Sequence, residues 1–268
     1  MNVQLPEKEK GTNKRITIYV VIIALCVIAV AVAMYQFFAD EKLEVVLGLV
    51  KSNEEETEQL KSEFDSLFNN TLSYDKNIVY TGYSKQEKSV NNYDVNINIP
   101  YINIDTDIVK SYNNEINTIF RANAEEILKM EDRNIIFNVN YMASVENNIL
   151  SVAILSNFKE GDNAQRTIIK TYNYDLKNNK EVKLKDLIAL NNLDESKVQE
   201  KIKSEISKAQ ENANKLADLG YNIFSRDVNN SMYKIENTTE YFMKNGKLYI
   251  IYPYGNKNKT SEMDLVII

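Results

Sequence analysis

From Ile16 to Phe38 the chain carries no charged side chain, and only Thr17, Tyr19, Tyr35 and Gln36 relieve a run of apolar residues. As a helix this stretch is roughly 34 Å long, enough to cross a hydrocarbon core of about 30 Å. Lys8, Lys10, Lys14 and Arg15 precede it, and Asp40 and Glu41 follow it. The basic flank is therefore expected in the cytoplasm and everything downstream outside, in a single-pass cell-membrane topology. A cleaved leader is the competing reading, because Ala29-Val30-Ala31 and Ala31-Val32-Ala33 satisfy the small-x-small cleavage pattern. The apolar centre exceeds the roughly 7–15 residues of such a leader, which favours an uncleaved anchor. Cys26 is a poor lipid-attachment site, since Leu25 stands where a small residue is needed.

The anchor divides the sequence into an inner tail at 1–15, a span at 16–38, a juxtamembrane stalk helix at 39–72 and an extracytoplasmic domain at 73–268. The tail is too short and polar to fold as an effector. Net charge is −6, and the first fifteen residues contribute +2, leaving −8 outside. An acidic ectodomain does not bind nucleic acid, or an anionic polymer, through bulk charge. The one cysteine lies in the span, so no intrachain disulfide is available and core packing must hold the domain.

Histidine is absent altogether. That excludes Ser-His-Asp and Cys-His catalysis and the zinc sites that rely on imidazole. No catalytic residue, cofactor or metal is assigned. Ser73-x-x-Lys76 matches the opening of a penicillin-binding motif, but it lies in a polar connection instead of opening a buried helix. Asn103-x-Asp105-x-Asp107 has the spacing of a calcium loop, yet Ile108 stands where the sharp turn needs glycine, and a helix cap accounts for the acids. A histidine-free wall hydrolase remains as a remote third reading.

Between Leu43 and Thr71 apolar residues recur in a heptad, weakened in the middle by Asn53, Thr57 and Glu54-Glu55-Glu56. This predicts a stalk whose Phe64, Leu67 and Phe68 end docks on the domain, with weak homodimerisation through 43–71 as the alternative. Beyond Ser73 the period changes to that of strands. Ile78–Tyr83 is a short strand, and Asn92–Ile99 alternates, with Tyr93, Val95, Ile97 and Ile99 on one face and asparagines and Asp94 on the other, ended by Pro100. Asp105 and Thr106 cap a helix that lies across the dry face. Ile135–Val145 and Leu150–Ile154 form a hairpin about Glu146-Asn147-Asn148. Arg166–Tyr174 is a further strand, turning at Lys177–Lys180 towards Val182 and Leu184. A long helix spans 194–219, stopped by Gly220. The end is a hairpin through Asn245-Gly246 from Tyr241–Met243 to Leu248–Tyr252, and then a last strand with Met263, Leu265 and Ile267. The fold class expected is α+β, antiparallel sheets crossed by helices behind one N-terminal transmembrane helix.

Tyr172-Asn173-Tyr174-Asp175-Leu176, followed by Lys180-Glu181-Val182-Lys183-Leu184-Lys185-Asp186-Leu187, resembles a known pattern. So do Phe242-Met243-Lys244-Asn245-Gly246-Lys247-Leu248, Tyr252-Pro253-Tyr254 and Leu265-Val266-Ile267. They look like the exported module, known only as a domain of unknown function, shared by RsiV-type anti-sigma factors and the front region of PdaC-type peptidoglycan deacetylases. The likeness covers about 93–268. Gly161–Gln165 stands where members often carry a Gly-Ala-His segment, and the anti-sigma helices and zinc deacetylase domain have no counterpart. The resemblance implies the α+β fold and a role at the cell wall, with lysozyme as one ligand to consider.

These readings converge on a non-catalytic envelope module that recognises a wall component, such as peptidoglycan, or a protein such as a lysozyme. The alternative is the sensor subunit of a transmembrane signalling system with a separate cytoplasmic effector. Tyr172, Tyr174, Leu248, Tyr252 and Tyr254 are the candidate partner-binding residues, with core packing as their other reading. A partner is expected to extend the sheet along Leu248–Tyr254, anchored by the two tyrosines there.

Overall fold

The computed structural model describes residues 62–68, 77–89, 93–130, 134–256 and 259–268. The apolar segment 16–38, most of the stalk and the Ser73–Lys76 motif lie outside the described residues. Among those described, no helix is long and apolar enough to cross a membrane. The chain divides into units 1–64 and 65–268. Only a helical turn at 62–66 is described near that boundary. Beyond it, Phe68 of the stalk sequence packs edge-on against Phe242, ring centroids 6.5 Å apart.

The second unit is α+β. Its strands are β1 (Val79–Lys88), β2 (Tyr93–Ile102), β3 (Ile135–Glu146), β4 (Ile149–Glu160), β5 (Arg166–Asp175), the short β6 (Lys180–Glu181), β7 (Glu240–Lys244), β8 (Lys247–Asn256) and β9 (Lys259–Ile267). They join in the order β1-β2-β3-β4-β5-β9-β8-β7, with β6 beside β5. The sheet is mixed, not purely antiparallel as expected, because β2 and β3 run parallel. The connection between them permits this. It is a helical crossover, α1 (Asp107–Ile116) and α2 (Ala122–Ile127) joined by a π turn at Asn117–Arg121, long enough to bring the chain back to the start of the neighbouring strand, as a parallel pair needs. Thr106 caps α1, its hydroxyl accepting from the Val109 N–H. Asp105 forms an ion pair with Lys110 at 2.8 Å.

Pro100 does not end β2, which continues to Ile102. The parallel pairing with β3 stops at Ile97, and a bulge between Thr81 and Tyr83 loosens the other side, so the missing N–H of Pro100 is not called on. The β3–β4 turn uses Asn147 and Asn148 at φ 53° and 64°, the left-handed pair that a two-residue hairpin demands. Asn245 and Gly246 repeat the solution between β7 and β8 at φ 54° and 73°.

A single residue pair, Thr167 with Thr260, links β5 to β9. Two sheets therefore meet there, each with its own core. In the first, Val95, Ile97 and Ile99 of β2, Phe137 and Val139 of β3 and Val152 and Ile154 of β4 pack on Val109, Ile116 and Phe120 of the crossover. In the second, Leu248, Ile250, Tyr252 and Tyr254 of β8 pack on α3 (Leu184–Leu190) through Leu187 and Ile188, and on α4 (Glu195–Asp218) through Val198, Ile202 and Ile206. Each fully buried aliphatic side chain stabilises by roughly 1.5–3 kcal/mol. Asp194 caps α4 through the Ser196 and Lys197 N–H groups. Val182 and Leu184 form no strand of their own, since Leu184, Leu187 and Ile188 fall on one helical face and turn inward.

β7 lies against β3, β4 and β5, and polar side chains make that junction. The Tyr241 N–H donates to Thr171 Oγ1 and its carbonyl accepts from Asn173 Nδ2, at 2.9 and 2.8 Å. The Met243 N–H donates to Ser151 Oγ and its carbonyl accepts from Ser144 Oγ, at 3.2 and 2.7 Å. All four groups turned away from β8 are thereby satisfied, and this edge of the sheet is closed.

Candidate functional site

On the side away from β4, β5 has no strand partner between Thr167, which pairs with β9, and Tyr174, which pairs with β6. A cleft of about 130 Å³ opens at this gap, lined by Tyr112 and Glu115 of α1, Lys170, Thr171 and Tyr172 of β5, Glu181 of β6, and Glu240 and Tyr241 of β7. Glu240 reaches into it from the start of β7. Its Oε2 accepts from the Thr171 N–H at 2.8 Å and lies 3.2 Å from Thr171 Oγ1. The carboxylate thus substitutes for the missing strand.

Lys170 Nζ sits 3.3 Å from Glu240 Oε1 and 3.7 Å from Glu115 Oε1, so one ammonium serves two carboxylates. Only 6% of the Glu240 side chain is exposed. Burial pushes its pKa above the ordinary carboxylate value, outweighing Lys170 and the Thr171 hydrogen bonds. The rings of Tyr112 and Tyr172 lie 4.9 Å apart. The Tyr172 hydroxyl is buried without a hydrogen-bond partner among the described residues. Burial raises the pKa of Tyr112, Tyr172 and Tyr241, which stay protonated at neutral pH. The Tyr112 and Tyr241 hydroxyls already donate to the Asn173 and Val182 carbonyls, at 3.4 and 3.0 Å, which leaves the Tyr172 hydroxyl beside a lysine already engaged by acids.

Replacement of Glu240 by glutamine is expected to change how stability depends on pH. A raised native pKa means that the folded state binds the proton more tightly than the unfolded chain. The contribution of Glu240 is then fully present below its unfolded pKa and is lost as pH rises through its native one. The stability of the native chain minus that of Glu240→Gln should fall between acid and neutral pH, as read by urea unfolding. A difference that grows with pH would mean that Lys170, not burial, dominates.

Of the candidate partner-binding residues, only Tyr172 reaches the cleft. Tyr174 is buried, its hydroxyl 3.2 Å from both Thr106 Oγ1 and Asn179 Oδ1, tying the start of α1 to the turn after β5. Leu248, Tyr252 and Tyr254 are 0%, 2% and 3% exposed. β8 pairs with β7 on one side and β9 on the other, so the expected docking edge along Leu248–Tyr254 does not exist. Tyr252 bonds Thr238 Oγ1 at 3.1 Å and burial pushes its pKa up to about 12. Tyr254 donates to Asp264 and lies 3.0 Å from the Tyr233 hydroxyl. These tyrosines are core.

Solvent-facing aromatic residues went unnoticed in the sequence, among them a pair on adjacent strands. Tyr80 and Tyr101, each 40% exposed, stand across β1 and β2 with rings 5.4 Å apart. Gly82 makes room for them: a Cβ there would come within 2.8 Å of Tyr101 Cβ. The Lys170–Glu240 pair bridges 70 residues, which local spacing does not reveal. No protein-family model matches this chain, and no curated protein matches it.

Proposed function

We infer that the chain is a membrane-anchored module of the bacterial cell envelope that recognises a wall component or an extracytoplasmic protein and catalyses nothing. The observation that carries this reading is the state of the polar groups in the cleft. A nucleophile or base needs a group poised to lose or take a proton. Lys170 is paired with two carboxylates, the buried tyrosines are held protonated, and the Glu240 carboxylate is taken up by the Thr171 N–H and by Lys170. No histidine exists anywhere to assist. The apolar segment 16–38 and its basic flank supply the anchor, and the resemblance to RsiV- and PdaC-type exported modules supports the wall as its setting.

Protease applied to intact cells should remove an epitope placed after Ile268 and spare one placed before Met1. A protected C-terminal epitope would overturn the topology. The full chain in nanodiscs should retain purified wall sacculi or an envelope protein without altering either. Turnover of wall material that disappears on substitution of a single cleft residue would replace recognition by catalysis.

A further inference from the structure

The face of β1–β4 turned away from the first core is a field of carboxamides. Strand register sets Gln86 beside Asn96, Asn96 beside Asn138 and Asn138 beside Asn157. Four amide side chains thus form one row across four adjacent strands, roughly 14 Å from end to end at a strand spacing of about 4.8 Å. Asn98 and Asn140 lie next to it along β2 and β3. Asparagine is depleted in strands, so packing and propensity alone do not account for five of them on one face.

The field is ordered. Asn98 Nδ2 donates to Asn96 Oδ1 and to Asn140 Oδ1, at 3.2 and 3.0 Å, while Ser84 Oγ donates to Asn98 Oδ1 at 3.1 Å. Asn157 Oδ1 accepts from Gln165 Nε2 and Thr167 Oγ1, at 3.1 and 2.9 Å. In Asn96, Asn140 and Asn157 these bonds engage the oxygen and leave the amino group to solvent. Asn138, in the middle of the row, has no hydrogen-bond partner among the described residues. All five asparagines are half-buried, accessible but restricted in rotamer. A ladder serving only the fold would continue through Asn138, as the amides on either side of it are bonded.

What remains is a rigid, uncharged surface rich in N–H donors. Charge is confined to its margin, where Lys88 is bonded to Asp94 at 2.8 Å and Lys159 stands opposite Ile136. Tyr101 precedes Ile102, which points into the first core, so its ring turns to the same side as Asn98. From Asn157 to Tyr101 the path crosses two strand spacings and five residues, roughly 20 Å. The matching ligand is neutral, lies flat, carries oxygen acceptors at every ring and has a C–H face to set on a tyrosine.

The geometry points to this face as the docking surface for an uncharged acetamido-glycan strand, running from Asn157 across Asn138 and Asn98 to the Tyr80–Tyr101 pair. This deepens the envelope reading proposed above and rests on it. The probe is the tetramer of N-acetylglucosamine, titrated by calorimetry into the full chain in nanodiscs, with polyglutamate as the charged control. The tetramer should bind and polyglutamate should not. Asn138→Ala should weaken binding about tenfold, the equivalent of about 1.4 kcal/mol. Tyr101→Ala should weaken it severalfold with unfolding by urea unchanged. Asn157→Ala should weaken it severalfold as well, and also lowers stability because it removes the acceptor of Gln165 and the buried Thr167 hydroxyl. Tyr101 is exposed, so the test survives if Asn138→Ala fails to fold.

Absence of tetramer binding by the folded chain would overturn the inference, as would equal binding by all the folded variants. Sacculi retained equally by native chain and variants would also overturn it while leaving the envelope module standing. Retention of neither sacculi nor any envelope protein would remove the module reading and this one with it.

Discussion

Replacing Arg226 by alanine is expected to lower the free energy of unfolding by about 3–5 kcal/mol, the range found when one partner of a buried ion pair is removed. Arg226 lies in the connection after α4, with a side chain only 8% exposed, and its partner Asp264 on β9 is 12% exposed. The guanidinium forks onto the carboxylate, Nε to Oδ2 at 2.8 Å and Nη2 to Oδ1 at 3.0 Å. Nη1 donates to the Phe224 carbonyl at 2.6 Å, and the charge sits 4.8 Å over the Tyr254 ring. Burial alone would lower its pKa, but the bond and charge of Asp264 reverse that and raise it. Alanine would leave Asp264 with the Tyr254 hydroxyl and no counter-charge. Phe224, stacked 4.5 Å from Tyr254, would also lose the clamp that holds its backbone. Urea unfolding should show a lower midpoint at an unchanged slope. Arg226 Nη2 also lies 3.4 Å from Glu262 Oε2, so the paired replacement Arg226→Met with Asp264→Leu should recover part of the loss: it removes the more deeply buried acid and leaves only the partly exposed Glu262 without its partner. A loss under about 1 kcal/mol for Arg226→Ala would place the pair with ordinary surface bridges instead.

The sequence disclosed those elements whose two faces meet different surroundings. Tyr93–Ile99 and Ile135–Asn140 alternate because one side of each is solvent-facing, and α4 shows its inward face and its Asp194 cap because its outer side is solvated. Direction and neighbour are another matter. Alternation is the same whether β3 runs with β2 or against it, so the parallel pair came only with the crossover. The position of β8 was misread although a sign was present: Leu248–Tyr252 is an unbroken apolar run, which marks a strand covered on both faces. The strand's lateness in the chain suggested an edge, but β9 follows and covers it. In α3, Leu184, Leu187 and Ile188 carry helical spacing too short to stand out. The cleft and the amide row were the least legible. Glu240 meets Lys170 across 70 residues, and the row draws one residue from each of four strands. The asparagines of β2 were visible as a wet face, but their neighbours on β3 and β4 were not.

Asn173 is the second position where a single substitution should act strongly, and it lies between the two tyrosines that the sequence brought forward. Its Nδ2 donates to the Tyr241 carbonyl at 2.8 Å and its Oδ1 accepts from Ser151 Oγ at 2.7 Å. Ser151 Oγ in turn accepts from the Met243 N–H. The side chain is 4% exposed, so water does not replace these bonds. Leucine has nearly the same shape and can make none of them. It would orphan a buried carbonyl and a buried hydroxyl, each at about 1–3 kcal/mol, giving an expected loss of about 2–4 kcal/mol after the added apolar contact. The consequence reaches beyond stability, because Asn173, Ser151, Ser144 and Thr171 together occupy the outer groups of β7. With that edge loosened, Tyr241 and Met243 present unpaired backbone to other molecules, and Asn173→Leu should self-associate more strongly than the native chain. Sedimentation of the full chain in detergent at rising concentration reads this directly, and urea unfolding reads the loss. Ser144→Ala, which frees only one carbonyl, should cost about 1 kcal/mol and leave the association state unchanged. If Asn173→Leu is as stable as the native chain, side-chain bonding is not what holds β7 to the first sheet, and the apolar contacts around Phe242 hold it alone.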